Sequence, residues 1–468
     1  MYLLALKNDP EYGENFKLKD GKTIDEHYDF TLHYMKQHMN QRARKGFLVE
    51  ISSGGYATRM QNMWLSIFEL SPDQEARDLA RKSLDLYWAF WAEEQISGER
   101  GGGKVRHRGD KILYGGEAIK EPAWIFFGTG NFDMEYIKTI TGSNHKLARN
   151  YIYLFSGYFP DQIVYEILED RKNTPAYAIV QRRLGRDDNP NIELPDGLEK
   201  EKARGYNYKE GDCLKYSWVS KNFILGTVMR PPEDVMYWEE GSGQAWAHGL
   251  LLQSDKQVKL PERVIPLLIG KDVRGGQYAV QSKGSFMARK LPDALNVKRD
   301  NKLYPYGIFI SKGLETCTRL IDDYIFINSP TTYVAVRAVG TQFVPGSQLL
   351  KKEFQDDGFF YKLENDLHPL IIEAAEPGDY KSFEEFTEAV ISAQLVSENG
   401  THSYASLSGS ELKMYDDRSR PMISGIKINY NPNMAYDSRY IKSSWDSGLI
   451  IISVGEMEKV LDFTILQN

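Results

Sequence analysis

An α+β multidomain fold, helical in its first third and antiparallel β thereafter, is what this sequence predicts, on three observations. Between Thr23 and Ile96 three consecutive stretches carry apolar residues at helical spacing. From about Tyr177 onward the chain breaks into short β-branched and aromatic runs separated by Gly, Pro, Asn and Asp. And 468 residues exceed what one compact core usually covers. The expected division is an α-helical domain over 1–172 and an antiparallel β domain over 173–468, with a smaller C-terminal β subdomain from about residue 375.

The first helix is expected over Thr23 to Lys45, where Ile24, Tyr28, Thr31, Leu32, Met35 and Met39 form one stripe that Gly46 ends. Tyr56 to Leu70 repeats the pattern with Met60, Met63, Trp64, Ile67 and Phe68. SPDQEARDLARKSLDLYWAFWAEEQI opens on a Ser-Pro cap and runs through Ala76, Leu79, Ala80, Leu84, Tyr87, Trp88 and Trp91. Short connections imply antiparallel helical hairpins. Weaker helices are expected near Glu121–Gly128, Met134–Ile140, Lys146–Phe155 and Asp161–Asp170. Beyond Pro175 the texture changes to strands such as WVSKNFILGTVM, RVIPLLIG, YIFINSPTTYVAVRAVG and GLIIISVG. One helix interrupts them at DYKSFEEFTEAVISAQL, with an Asp or Ser cap and an apolar stripe of Phe383, Phe386, Val390 and Ile391. No repeat of 20 to 50 residues is present, against a propeller or solenoid.

Composition narrows the function. Apolar residues at 41% and charged ones at 26% describe a globular chain, and a net charge of -7 argues against a broad nucleic-acid surface, so any anion site is local. With only Cys213 and Cys317 there is neither a disulfide framework nor a thiolate zinc cluster. The eight histidines are scattered, and His33 and His38 lie five apart, off the spacing of a helical metal pair. No cofactor is therefore expected, a structural Ca²⁺ or Zn²⁺ ion in the β domain being left open. No apolar run reaches the roughly 18 residues of a membrane span.

The densest polar cluster is SGERGGGKVRHRGDKILYGG, expected as an exposed loop. Arg100, Lys104, Arg106 and Arg108, with His107, make a local anion site, and Gly101, Gly102 and Gly103 would let backbone approach a ligand. Guanidinium forks bind planar oxyanions such as a sugar carboxylate or sulfate. Arg106, His107 and Tyr114 supply a carboxylate clamp, a base and an acid, the three groups that elimination at a uronic acid requires. The plain alternative is a solvated basic loop. GERGGGK is no phosphate loop, because it follows a helix and lacks the GK[ST] ending. Glu50 and Tyr56 stand at the entrance of the second helix, where Glu50 bonds sugar hydroxyls or caps the helix. Trp246 and His248, in GSGQAWAHG, place a ring and an imidazole beside glycines; a satisfied core histidine is the plainer reading.

Four stretches together resemble the heparinase II/III-like and alginate-lyase-like proteins: VEISSGGYATRMQNMW with ARDLARKSLDLYWAFWAEEQ, GERGGGKVRHR, IIEAAEPGDYKSFEEF, and MISGIKINYNPNMAYDSRYIKSSWDSGLIIISVGEMEKVLDF. The resemblance implies an incomplete (α/α) toroid followed by a large antiparallel β-sandwich, and β-elimination at a uronic acid. It places the catalytic tyrosine at Tyr114, the base at His107, the carboxylate clamp at Arg106 or Arg108 and the sandwich contribution at His248. Asn131 or Asn62 would stand in for the asparagine such lyases pair with histidine. The expected function is thus a polysaccharide lyase with Tyr114, His107 and Arg106 catalytic and Glu50, Tyr56, Arg100, Lys104, Arg108, Asn131, Trp246 and His248 binding substrate. The partner would be an acidic polysaccharide or oligosaccharide, with no nucleic acid and no membrane span, and oligomeric state unspecified. A periplasmic or extracellular location is expected, with no export signal in the stretch given. A glycoside hydrolase using Glu50 with Asp110 or Glu117, and a non-catalytic glycan-binding protein, are the competing readings.

Overall fold

The protein is described by a computed structural model. It covers residues 2–9, 12, 16–47, 54–105, 119–129, 152–183, 213–232, 246–247, 249–254, 261–269, 277–291, 305–350, 352 and 355–464. It is a mixed α+β protein of antiparallel sheets. The helices among the described residues are α1 (Tyr2–Lys7), α2 (Ile24–Arg44), α3 (Gly54–Leu70), α4 (Gln74–Glu93), α5 (Lys120–Phe127), α6 (Gln162–Asp170) and, within the β region, α7 (Phe383–Ser392). The expected helices over 134–140 and most of 146–155 lie outside the described residues. None of the described helices is long and apolar enough to cross a membrane.

Local chemistry sets the helix ends. Thr23 caps α2 through a capping box with Glu26, whose carboxylate accepts from the Thr23 backbone N–H at 2.8 Å. For α4 the expected Ser-Pro cap gives way to Asp73, which accepts from Ala76 N at 2.8 Å. Pro72 has no N–H to lose there, and a carboxylate at the positive end of the helix adds dipole stabilisation. Asp161 caps α6, and of the two residues offered for α7 it is Ser382 that caps it.

Twelve strands form the large sheet, in the order Phe343–Pro345, Gly358–Leu363, Tyr306–Ser311, Glu262–Leu268, Gly249–Leu252, Phe223–Met229, Cys213–Val219, Tyr177–Arg183, Met434–Asp437, Ile441–Ser444, Leu449–Val454 and Met457–Asp462. A six-stranded sheet runs Gln277–Ser282, Ser285–Lys290, Leu370–Ala375, Tyr333–Ala338, Tyr324–Asn328 and Thr318–Ile321. The two share a core in which Phe223, Leu225, Leu250 and Val264 of one meet Phe286, Ala288, Val334 and Ile372 of the other. A five-stranded sheet (Leu395–Glu398, Thr401–Ala405, Glu411–Tyr415, Met422–Ile423, Ile426–Lys427) packs Tyr404, Leu412 and Met414 against both.

After this third sheet the chain returns to the large one, and its last four strands carry the helices. Trp88, Trp91 and Ile163 share one core with Tyr436, Ile441, Ile450 and Leu461. Each such side chain, moved from water to this interior, contributes roughly 1.5–3 kcal/mol. Polar contacts fix the register: Tyr436 donates to the Ala43 carbonyl at 2.6 Å, and Lys459 bonds Asp85 at 2.9 Å. Asp85 also accepts from Tyr158 at 2.9 Å.

Candidate functional site

At the end of α4 the chain turns onto one face of the large sheet. Side chains alternate along a strand, so Lys215 and Ser217 share a face, and the pairing of Lys215 with Gln181 and of Ser217 with Gly226 extends it across neighbouring strands. Glu94, fully buried, accepts from Lys215 Nζ, from Ser217 Oγ at 2.5 Å and from Arg100 Nε at 3.1 Å. Glu99, also fully buried, accepts from Arg263 at 2.5 Å. Two carboxylates in the stretch after α4 thus take up three cations, two of them on the sheet. Buried charges persist only when paired and hydrogen-bonded in this way.

This arrangement corrects the expectation of an exposed loop for residues 97–103. Gln95–Ile96 and Glu99–Arg100 form a small hairpin, and Glu99, Arg100, Gly101 and Gly103 are buried. Arg100 is only 3% exposed and bound to Glu94, so it anchors the turn instead of reaching a ligand. The three glycines serve packing against the sheet. A Cβ at Gly102, whose φ is +77°, would collide with Glu94 Oε1 and Ser217 Oγ, and one at Gly103 with the Thr227 backbone. The opposing strand carries Gly226, where a Cβ would strike the Gly102 backbone. Two backbones lie closer here than side chains would allow.

Beyond the glycines, Lys104–Val105 pairs antiparallel with Trp246–Ala247, Lys104 opposite Ala247 and Val105 opposite Trp246. The structure therefore brings the backbones of two separately expected binding residues, Lys104 and Trp246, onto adjacent strands. Tyr56 sits in the first turn of α3, 39% exposed, with the Arg59 guanidinium 5.5 Å from its ring centre. Arg106, His107, Arg108, Tyr114, Glu50, Asn131 and His248 lie outside the described residues, as do the alternative carboxylates Asp110 and Glu117. Among the described residues no group of three or more His, Cys, Asp or Glu is placed to hold a metal ion.

Sequence reasoning missed Glu93, Glu94 and Lys215. A signal was present: two adjacent glutamates follow the apolar run LYWAFWA at the end of α4, and Lys215 is a lone cation inside CLKYSWV. Burial pushes the Glu93 carboxyl up to about 8, against a 2.6 Å hydrogen bond from Ser438. In Glu94 burial acts the same way, but the charges of Lys215 and Arg100 outweigh it and hold the carboxyl below its usual range. Burial pulls Lys215 down, opposed by Glu94. Glu373, between the six-stranded and five-stranded sheets, is pushed up to about 7 by burial although Ser285 and the Leu407 N–H donate to it.

These two raised glutamates make stability pH-dependent with a definite sign. A carboxyl whose folded value exceeds the ordinary 4.5 stabilises fully below pH 4.5 and loses that contribution as pH rises, for Glu93 up to about 8. While Glu93 alone titrates, the loss is at most about 1.4 kcal/mol per pH unit. Glu93→Gln should flatten stability between pH 5 and pH 8 in urea unfolding followed at several pH values. An unchanged slope would mean that Glu93 is ionised in the folded protein.

No protein-family model, curated protein or solved structure matches the chain. Fold and site define a class on their own terms: an α+β protein whose helical layer meets an antiparallel sheet through buried ion pairs, with a sequence rich in Lys and Arg following directly after that junction.

Proposed function

We propose that the protein is a polysaccharide lyase that cleaves an acidic, uronic-acid-containing glycan by β-elimination at the junction of the helical layer and the large sheet. On this reading the helical layer is part of an incomplete (α/α) toroid and the packed sheets are its β-sandwich. One observation carries the proposal: the root of the basic turn, Lys104–Val105, is paired with Trp246–Ala247. Strand pairing gives two sequence-distant segments, one rich in cations and one bearing an indole and an imidazole, a common origin. With Arg100 held by Glu94, the cations assigned to the sugar acid are Lys104, Arg106 and Arg108.

The chemistry assigned to the turn is conventional acid-base work. Arg106 neutralises the uronate carboxylate, which makes the C5 proton acidic by stabilising the charge that develops as it leaves. His107 takes that proton, the C4–O bond breaks, and Tyr114 protonates the departing oxygen. Trp246 offers a stacking surface for a sugar ring. No metal or cofactor enters these steps.

The test follows pectin, alginate, ulvan and glycosaminoglycan chains with the protein, recording ultraviolet absorbance of unsaturated uronates and reducing ends together. Both signals rising in step on one glycan is the expected result. Reducing ends without absorbance would instead indicate a hydrolase, and binding with neither signal a glycan-binding protein; either overturns the lyase reading.

A further inference from the structure

A second chemical constellation lies in the five-stranded sheet, well away in sequence from the junction. Leu395–Glu398 and Thr401–Ala405 form a hairpin closed by Asn399 and Gly400, with φ of +50° and +73°. Positive φ at both central residues is the mark of a tight two-residue turn whose twist matches its strands. The register sets Ser397 directly opposite His402. Ala405 N donates to Gln394 O at 2.9 Å, and counting alternate pairs from there makes 397–402 a pair that exchanges no backbone hydrogen bonds. Side chains approach most closely in such pairs.

Ser397 Oγ lies 2.8 Å from His402 Nδ1, and His402 Nε2 lies 3.0 Å from Asp416 Oδ1. An ionised carboxylate only accepts, so Asp416 fixes the proton on Nε2 and leaves the Nδ1 lone pair facing the serine hydroxyl. Arg289 donates to the same Asp416 oxygen, and its other terminal nitrogen holds the Leu367 carbonyl at 2.9 Å. Burial raises the Asp416 carboxyl, but His402 and Arg289 together keep it below its usual range. Burial holds the His402 imidazole down against the pull of Asp416. His402 is 5% exposed while Ser397 is at the surface, so the base is fixed by burial, the half-exposed Asp416 is held by Arg289, and the hydroxyl is reachable. Gly340 stands alongside: a Cβ there would come within 4.0 Å of Ser397 Oγ and 3.0 Å of His368 Nδ1.

We propose that Ser397, His402 and Asp416 form a second site, in which an activated serine hydroxyl takes the acyl group of an accessible carboxylic ester and passes it to water. Roles follow from geometry, since hydroxyl, base and orienting carboxylate are hydrogen-bonded in series. Ser397 Oγ attacks the ester carbonyl as its proton moves to His402 Nδ1. The alkoxy C–O bond then breaks and the alcohol departs with that proton. Water repeats the sequence on the acyl-serine and releases the carboxylic acid, so no oxidant or second reactant is needed. The N–H of Ser397 points to the open edge of the sheet, because Leu395–Glu398 is an outer strand, and it can donate to the oxyanion. An exposed hairpin has no deep specificity walls, which suits a short acyl group on a larger alcohol.

The full chain treated with an alkyl fluorophosphonate tests this, with labelled peptides read by mass spectrometry and p-nitrophenyl acetate hydrolysis measured alongside. Labelling of Ser397 is expected, abolished in Ser397→Ala and cut at least about 100-fold in rate by His402→Gln. Ser397→Ala lies at the surface and should melt like the parent, so its loss of label reports chemistry and not folding. An unlabelled Ser397 in the parent protein, or undiminished labelling in folded His402→Gln, overturns the proposal. Neither outcome depends on whether the junction cleaves glycans.

Discussion

Replacing Glu94 by alanine should destabilise the protein by roughly 3–5 kcal/mol, the usual consequence of removing one member of a buried ion pair. The reason lies in what remains. Arg100, 3% exposed, would keep its charge without the Glu94 carboxylate, buried Lys215 would lose the charge that holds its proton on, and Ser217 would lose its partner as well. Urea unfolding measures the effect, which should be nearly independent of salt because screening scarcely reaches a buried pair. Glu94→Gln keeps the shape and one acceptor and should cost less than Glu94→Ala. A loss below about 1 kcal/mol in Glu94→Ala would be the value of a surface ion pair and would remove Glu94 as the anchor of the turn. The same substitution should speed amide exchange over residues 100–105, since Glu94 bonds Arg100 together with Lys215 and Ser217 of the sheet.

Tyr114→Phe is the second large effect. If Tyr114 is the acid of an elimination, losing its hydroxyl should lower turnover by about 10²- to 10⁴-fold while glycan affinity stays within a few-fold of the parent. The separation of rate from binding is informative because the substitution keeps the aromatic ring and removes only the hydroxyl with its exchangeable proton. Turnover undiminished in Tyr114→Phe would contradict the assignment, and a parallel loss of affinity would make the tyrosine a binding residue. Arg106→Ala should differ on the lyase reading, weakening both, because there the same guanidinium would hold the carboxylate before and during proton removal.

Much of the architecture was legible in the sequence because it is written in local terms. Apolar spacing located α2, α3 and α4, and put the start of the first stretch at Thr23, the residue that caps α2. The β texture beyond Tyr177 followed from β-branched runs between turn residues. What local reading missed were long-range choices. A smaller C-terminal β unit is expected from about residue 375, but nothing between Ser406 and Tyr430 reveals that the chain returns at Met434 to pair with Tyr177–Arg183, some 250 residues earlier. Gly101–Gly103 invited a ligand-binding interpretation because glycine permits close approach, but the sequence does not say to what; the neighbour is the Phe223–Met229 strand, with its own Gly226. Arg100 looked like one cation among several, and only its meeting with Glu94 in the fold sets it apart from Lys104. The buried glutamates were hidden for the opposite reason, since adjacent acidic residues at the end of a helix normally mark its solvated side.

The central claim is that the basic turn and the stretch around Trp246 line one groove for an acidic glycan. A double-mutant cycle on binding of an acidic oligosaccharide, with Arg106→Ala, Trp246→Ala and their combination, addresses it most directly. If both side chains hold the same bound sugar, the two losses should fail to add, with a coupling above about 0.5 kcal/mol. Losses that sum within experimental error, or a ligand bound equally well after both substitutions, would place the two residues in separate surroundings and contradict the shared groove.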